Sequence, residues 1–394
     1  MISVEEAKEL VKQHIKTSDK HLNLPIEKTL NYILAKDLHA NISLPPFAQS
    51  AMDGYAINIE DFSDEKIFEI QTIIPAGHTK LEKLEKGKAI RIFTGAPIPD
   101  GADAIIVQEK AKEENGLVRF DAQELKAMQN IRPIGEQIQK GEVAVAKGTL
   151  LTPETLSFIA SFGITELCVQ KQPQISIFVN GDELIKAGQE LEFGQIYESN
   201  SLGLKAAVEN TNFPVASVQH LPDNKIKVME AISKATTEMD FLLLSGGISV
   251  GDYDYIGSSL RELGCQEIFY KVKQKPGKPL FFGKLNDCYV FALPGNPAAS
   301  LTCFYEYVLP ALHQFSGNGF KELSTFLIPL AHDFKKKGDR AQFLKAKIEN
   351  HKVSVMGKQA SSMLRSFINS SGYVYISAEQ AEVKEGELVE VRVF

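Results

Sequence analysis

Along residues 3–16, apolar side chains recur at Val4, Ala7, Leu10, Val11 and Ile15. That spacing puts them on one face and predicts an amphipathic helix. From about residue 40 to 140 the period shortens. The runs FEIQTII, KAIRIF, DAIIVQE and LVRF are separated by PAG, TGAPIPDGAD and RPIGE, where Gly and Pro end strands and turn the chain. This texture predicts a compact, mainly β insert. At Thr152-Pro153-Glu154 a capping hydroxyl, a proline at the first helical position and an early acid predict a helix running through LSFIASFG.

Beyond Gln172-Pro173, strands and helices alternate. ISIFVN, VASVQH, FLLL and CYVFAL read as strands, and SLGLKAAVEN, IKVMEAISKATTEM, YIGSSLREL and AASLTCFYEYVLPAL as helices. This spacing predicts a parallel, doubly wound α/β sheet. From about residue 322 β texture returns in TFLIPLAHDF, AQFLKAKIEN, YVYISA and LVEVRVF, with one short helix near SSMLRSF. The expected fold is α/β with β-rich satellite domains. An N-terminal helix (1–20) packs on the central domain, followed by a linker domain (21–43 and 140–172) that brackets an inserted β-rich domain (44–139). The central sheet domain (173–320) and a small C-terminal β domain (321–394) complete the chain.

Composition narrows the function. The chain has 394 residues, 44% of them hydrophobic and 24% charged, enough for roughly two to four ordinary domains. A net charge of −7 argues against nucleic acid as a partner, because such binders carry a basic excess. Four cysteines stand far apart with no C-x-x-C pair, which fits a reducing cytoplasm. The N-terminus has Glu5, Glu6 and Glu9 where a secretory signal would be basic and then apolar. No apolar run approaches the roughly 20 residues that span a bilayer, so no membrane role is expected and a cytoplasmic location is.

In an open α/β sheet, ligands bind beyond the carboxyl ends of the strands. Three predicted strands end in distinctive loops: Gly181-Asp182-Glu183, the stretch from Ser245-Gly246-Gly247 through Ser249, Gly251 and Asp252, and Pro294-Gly295-Asn296-Pro297. All three belong on one edge. Glycines in the second leave backbone N–H groups uncovered, as phosphate cradles do. In the third, Asn296 caps and Pro297 starts a helix whose N-terminus favours an anion. Any one such loop is also what a tight corner needs. Three on one edge, two of them carrying acids, favour a ligand site.

In FYKVKQKPGKP, alternation sends Lys271, Lys273 and Lys275 to one side before a Pro-Gly turn and Lys278. Such a row either guards a sheet edge or meets an anionic ligand. Asp53, Glu183, Asp223, Asp252 and Asp254 are candidate oxygen ligands for a hard divalent cation. The eight histidines show no ligand spacing, and Ser245 and Ser249 lack the G-x-S-x-G setting of a serine nucleophile.

Taken in order, PPFAQSAMDGYAI, FTGAPIPDGADAIIVQE, IRPIGEQIQKG, NGDEL, GQIYESN, LLLSGGISVGDYDYI, KPGKPLFFGK and LPGNPAAS resemble the molybdopterin molybdenumtransferase (MoeA) family, which includes the gephyrin E domain. The resemblance spans essentially the whole chain and is strongest from about 44 to 314. It implies a molybdopterin-binding-type sheet domain and insertion of molybdate into adenylylated molybdopterin, with release of AMP and dependence on Mg²⁺. It also implies an elongated homodimer whose cleft lies between the sheet edge of one subunit and the inserted domain of the other. Molybdopterin adenylyltransferase and molybdoenzymes are the implied transient partners.

The resemblance assigns Asp53 to a loop in the cleft, with Gly54 allowing the backbone to turn and Thr94 facing the same space. Glu183, Asp223 and Asp254 match acids around substrate and metal. Lys271 and Lys275 match lysines for the anionic substrate. The loops with Ser245-Gly246-Gly247 and Pro294-Gly295-Asn296-Pro297, together with Lys278, match the pterin-phosphate site. Gln137, Lys345 and Asn180 depart from the family pattern, which more often has an acid, Arg and Ser/Thr there. A non-catalytic pterin-binding scaffold and a nucleotide pyrophosphatase are the alternative readings.

Overall fold

The computed structural model describes residues 1–63, 65–122, 124–248 and 255–394. Ser249, Gly251, Asp252 and Asp254 lie outside the described residues. The chain divides into two compact units: Met1–Ala35, Gly148–Leu151 and Leu167–Phe394 form one, and Lys36–Lys147 and Thr152–Glu166 the other. No helix among the described residues is long and apolar enough to cross a membrane.

The larger unit is built on a six-stranded sheet. Val215–Leu221, Ile175–Asn180, Phe241–Ser245 and Cys288–Leu293 run parallel, side by side in that order. Ile175–Asn180 and Phe241–Ser245 are buried along their whole length, which explains their unbroken apolar sequences. Leu204, Val208, Phe304 and Leu312 pack on one face of the sheet, joined by Val4, Ala7 and Val11 of the N-terminal helix. Val228, Ile232, Ile256 and Leu260 pack on the other. The sheet is doubly wound as expected, but it is not wholly parallel. Phe281–Leu285 and Gln266–Tyr270 extend it antiparallel beyond Cys288–Leu293. The turn that returns FFGKL against CYVFAL uses Asn286 at a φ of 55°, a conformation Asn tolerates better than most residues.

Ser3 caps the helix Val4–His14, its hydroxyl accepting from the Glu6 N–H at 3.0 Å. The long helical run after Pro294 is interrupted: Pro297–Cys303 leads into a π turn, Phe304–Val308, and then Leu309–Phe315. Pro310 lacks an N–H and its ring crowds the carbonyl four residues back, so a regular ladder cannot pass through it. Within the π turn Glu306, only 1% exposed in its side chain, meets Lys8 at 2.7 Å and also Arg392. Charges from the first helix and the last strand thus share one buried carboxylate.

A second sheet in this unit has the order Gln274–Lys275, Ala341–Glu349, Gly372–Ile376, Leu388–Val393, Ser324–Pro329. Its first strand is lent by the lysine segment, parallel to Ala341–Glu349. The short helix expected near SSMLRSF is a single 3₁₀ turn, Leu364–Ser366.

The smaller unit holds a six-stranded sheet ordered Ala104–Val107, Gly54–Ile57, Lys88–Ile92, Ile67–Ile74, Leu117–Phe120, Ala111–Glu114. Tyr55, Phe68, Ile106 and Val118 fill one side, and Ile74, Ile90, Ile105 and Ile131 the other. Its helix Pro153–Ala160 starts where the sequence places it, Thr152 accepting from the Thr155 N–H at 3.3 Å. Gly54 is glycine for a different reason from the one expected. Its φ is not left-handed; a Cβ there would lie 2.0 Å from the Ile106 carbonyl oxygen. Close backbone approach, not a turn, excludes a side chain.

Candidate functional site

A cleft of about 550 Å³ opens at the carboxyl ends of the parallel strands. All three strand-end loops reach it: Glu183 from the first, Ser245, Gly246 and Gly247 from the second, and Pro294, Gly295, Asn296 and Pro297 from the third. Gly246 adopts a φ of 94°, and a Cβ on it would sit 2.6 Å from the carbonyl oxygen of Asn180. The first two loops therefore meet backbone to backbone.

Asn200, which the sequence reading did not single out, joins the other two. Its Nδ2 donates to Ser245 Oγ at 2.9 Å and to the Gly295 carbonyl at 2.7 Å. Beside it, Glu198 accepts from the Ser201 N–H at 2.7 Å and also lines the cleft. Their place in GQIYESN, polar residues opening a helix, is the signal that could have found them. Asn296 differs from expectation. Its side chain makes no cap; Nδ2 donates instead to Ser361 Oγ at 3.0 Å.

Of the described candidate metal acids in the larger unit, Glu183 lines the cleft, and Asp223 is engaged elsewhere. Asp182 and Asp223 exchange bonds, each carboxylate accepting from the other's backbone N–H, at 3.0 and 3.2 Å. The second oxygen of Asp223 accepts from Asn180 Nδ2. Asp223 thus joins two strand ends, and this is the work Asn180 does where the family pattern has Ser or Thr. Among the described residues no three His, Cys, Asp or Glu side chains converge on a metal position. The described residues alone do not make a magnesium site.

The lysine segment keeps its alternation of burial, Val272 and Gln274 inside and Lys271, Lys273 and Lys275 outward. It is not one strand, however. Lys271 takes a φ of 70°, and beyond it Val272 makes a single bridge to Ile2 before the two-residue strand Gln274–Lys275. The uniform row becomes three different positions. Lys271 Nζ lies 4.6 Å from the Tyr270 ring centroid, and Lys273 pairs with Asp339 at 3.1 Å. Lys275 and Lys278 are exposed and have no acidic partner within 4.0 Å among the described residues.

In the smaller unit, Asp53 and Thr94 come together. The Thr94 N–H and Oγ1 both donate to Asp53 Oδ1 at 2.8 Å. These bonds, aided by the charge of Arg91, hold the carboxyl below its ordinary range. Asp53 is therefore an anion with one oxygen fixed and the other unclaimed by Thr94. Gln137 is exposed, its N–H donating to the Leu44 carbonyl at 2.9 Å.

Lys345 carries its charge in a buried, unsatisfied position. It is 0% exposed on Ala341–Glu349, and its Nζ has no hydrogen-bond partner among the described residues. Nζ lies 5.5 Å from the Phe367 ring centroid. Burial first, and the charge of Lys275 second, push its pKa from 10.5 down to about 8. A base with a depressed folded pKa destabilises fully below that pKa, and the penalty fades as pH climbs toward the unfolded value. Lys345→Met should therefore raise stability at pH 7 by up to about 3 kcal/mol. The gain should disappear by about pH 10.5, as urea melts across that range would register.

Comparison with known proteins agrees with this geometry. Residues 2–163 match the MoeA N-terminal region (domain I and II), 176–314 the probable molybdopterin binding domain, and 328–394 the MoeA C-terminal region (domain IV). A molybdopterin molybdenumtransferase of Haemophilus influenzae is 34% identical over 404 aligned residues, covering 100% of this chain and 99% of the relative. One from Bacillus subtilis is 30% identical, covering 93% and 88%. The crystal structure of a molybdopterin biosynthesis MoeA protein from Pyrococcus horikoshii superposes with a TM-score of 0.83 at 29% identity, covering 100% of both chains. With all three regions matched in order and relatives aligned end to end, this chain belongs to the MoeA family.

Proposed function

We propose that the chain is a molybdopterin molybdenumtransferase of molybdenum cofactor biosynthesis, which inserts molybdate into adenylylated molybdopterin and releases AMP. The observation that carries this reading is the single cleft in which Glu183, the Ser245–Gly247 turn and the Pro294–Pro297 turn converge. Both substrates are anions. Backbone N–H groups of the glycine turns suit the phosphates, and Lys275 and Lys278 offer charge with no acidic partner within 4.0 Å among the described residues. The chain's part is to hold the dithiolene sulfurs and the molybdate together and to offset their charge; no covalent nucleophile is required.

Magnesium dependence is part of the proposal, with Glu183, Asp223 and Asp254 as its residues. So are a homodimer, sedimenting at about twice the 43.5 kDa chain mass, and a cytoplasmic location. Transient partners would be the adenylyltransferase that supplies the substrate and the molybdoenzymes that take the product. The deciding experiment incubates the protein with adenylylated molybdopterin, molybdate and magnesium and follows AMP. AMP release that needs molybdate and stops with EDTA supports the reading; none under any condition sinks it.

The lysines provide a sharper check. Lys271→Gln and Lys275→Gln should each weaken pterin-nucleotide affinity about ten- to hundredfold, the worth of a charge-assisted contact. Lys273→Gln should change it by less than about twofold, because Lys273 is spent on Asp339. Equal, small losses at all three positions, read by titration at two salt concentrations, would make the segment a solvated edge.

A further inference from the structure

Beneath the exposed lysines lies a buried polar chain that the reaction as outlined does not use. Gln274 is 0% exposed, and its Nε2 donates to the Gly277 carbonyl at 3.2 Å and to Cys303 Sγ at 3.6 Å. A carbonyl can only accept, so the amide cannot flip. Oε1 must then face the other way, where it accepts from the hydroxyl of Tyr307, itself 0% exposed. We propose that Gln274 and Tyr307 are positioning residues for the anionic substrate, a buried relay that fixes the turn carrying Lys275 and Lys278. This rests on the reading of that turn as part of the substrate site.

The turn is held at its start and at its apex. Gln274 pairs with Ala341 in the second sheet, and its carbonyl accepts from Arg340 Nη1 at 3.4 Å. Gly277 has a φ of 87°, and a Cβ on it would lie 2.5 Å from Cys303 Sγ and 2.7 Å from Gln274 Nε2. The turn thus rests directly on the relay. Lys275 and Lys278 are long, exposed side chains with much rotamer freedom, so what the protein can place is their backbone. The π turn gives this relay its other end, since Tyr307 stands within Phe304–Val308.

A polar chain that merely filled the core would affect stability alone. A positioning relay would affect capture of the anionic pterin nucleotide through Lys275. The test is a cycle of Tyr307→Phe, Lys275→Gln and their combination, with AMP release measured against adenylylated molybdopterin concentration at a temperature where all are folded. Tyr307→Phe should raise KM about five- to tenfold with kcat within about twofold, and the effect of Lys275→Gln should shrink at least about threefold in its presence. Gln274→Met with Tyr307→Phe removes both polar partners, so thermal stability should recover while KM stays high. Additive effects, or a KM that recovers together with stability, overturn the relay while leaving the site intact. If Lys275→Gln alone leaves KM unchanged, the site reading fails, and the relay falls with it.

Discussion

Asp53→Asn should yield a folded chain that releases AMP at about one-hundredth of the wild-type rate or less. Asn keeps an oxygen that can accept both Thr94 bonds, so the loop geometry survives and only the charge is lost. Those bonds and Arg91 hold the native carboxyl ionised below the usual carboxylate range, so the wild type carries that charge throughout the neutral region. On the proposed reading Asp53 faces the reaction, where removing a charged or proton-transferring group costs roughly 10²–10⁴ in rate. A surface loop position should cost little stability, a shift of about 2 °C or less in Tm. Turnover within about twofold of wild type would reduce Asp53 to shaping its loop. A large Tm drop would mean that the charge serves the fold.

The neighbouring residue should behave in the opposite way. Gly54→Ala should cost at least about 3 kcal/mol of stability, among the larger effects of a single methyl group. Its Cβ would meet the Ile106 carbonyl oxygen at 2.0 Å, the carbonyl carbon at 2.9 Å and Val107 Cα at 3.1 Å. All three are backbone atoms of the paired strand, so no rotamer change relieves the contact. Only separation of Gly54–Ile57 from Ala104–Val107 does, which breaks the pairing of Tyr55 with Ile106. Gly116→Ala supplies the control. Gly116 has a φ of 78° with nothing within 4 Å of the added carbon, so its cost is conformational, about 1 kcal/mol. Chemical denaturation of the two variants separates steric from conformational glycine. Equal losses would refute the close-approach argument.

The sequence was most legible where burial was complete. ISIFVN and FLLL are apolar because both faces of their strands are covered, and their strand ends announce the cleft through glycine, proline and acid. The capping residues Ser3 and Thr152 marked helix starts because each needs only its own few neighbours. Contacts between distant segments were harder to read. Nothing local in FFGKL says that it returns antiparallel, apart from the Asn286-Asp287 turn that follows it. The alternation of lysines suggests a strand through Lys271, although the backbone there is left-handed. Asn200 lay within a quoted motif, yet its role depends on Ser245 and Gly295, far along the chain. The π turn was invisible, since the apolar spacing around it remains helical; Pro310 was the only clue.

The lysine segment is flanked by two stretches far from it in sequence. Ile2 bridges to Val272, its N–H donating to the Lys271 carbonyl at 3.2 Å, while the Ala341 N–H donates to the Lys273 carbonyl at 3.1 Å. Protein synthesis runs from the N-terminus, and domains generally fold as they emerge. A nascent chain that has left the ribosome through about residue 320 already contains all three cleft loops and Ile2. It still lacks the strand against which Gln274–Lys275 is laid down. The turn bearing Lys275 and Lys278 is therefore finished only after Ala341–Glu349 has been translated and docked. On the proposed reading, that part of the substrate site is completed late in synthesis.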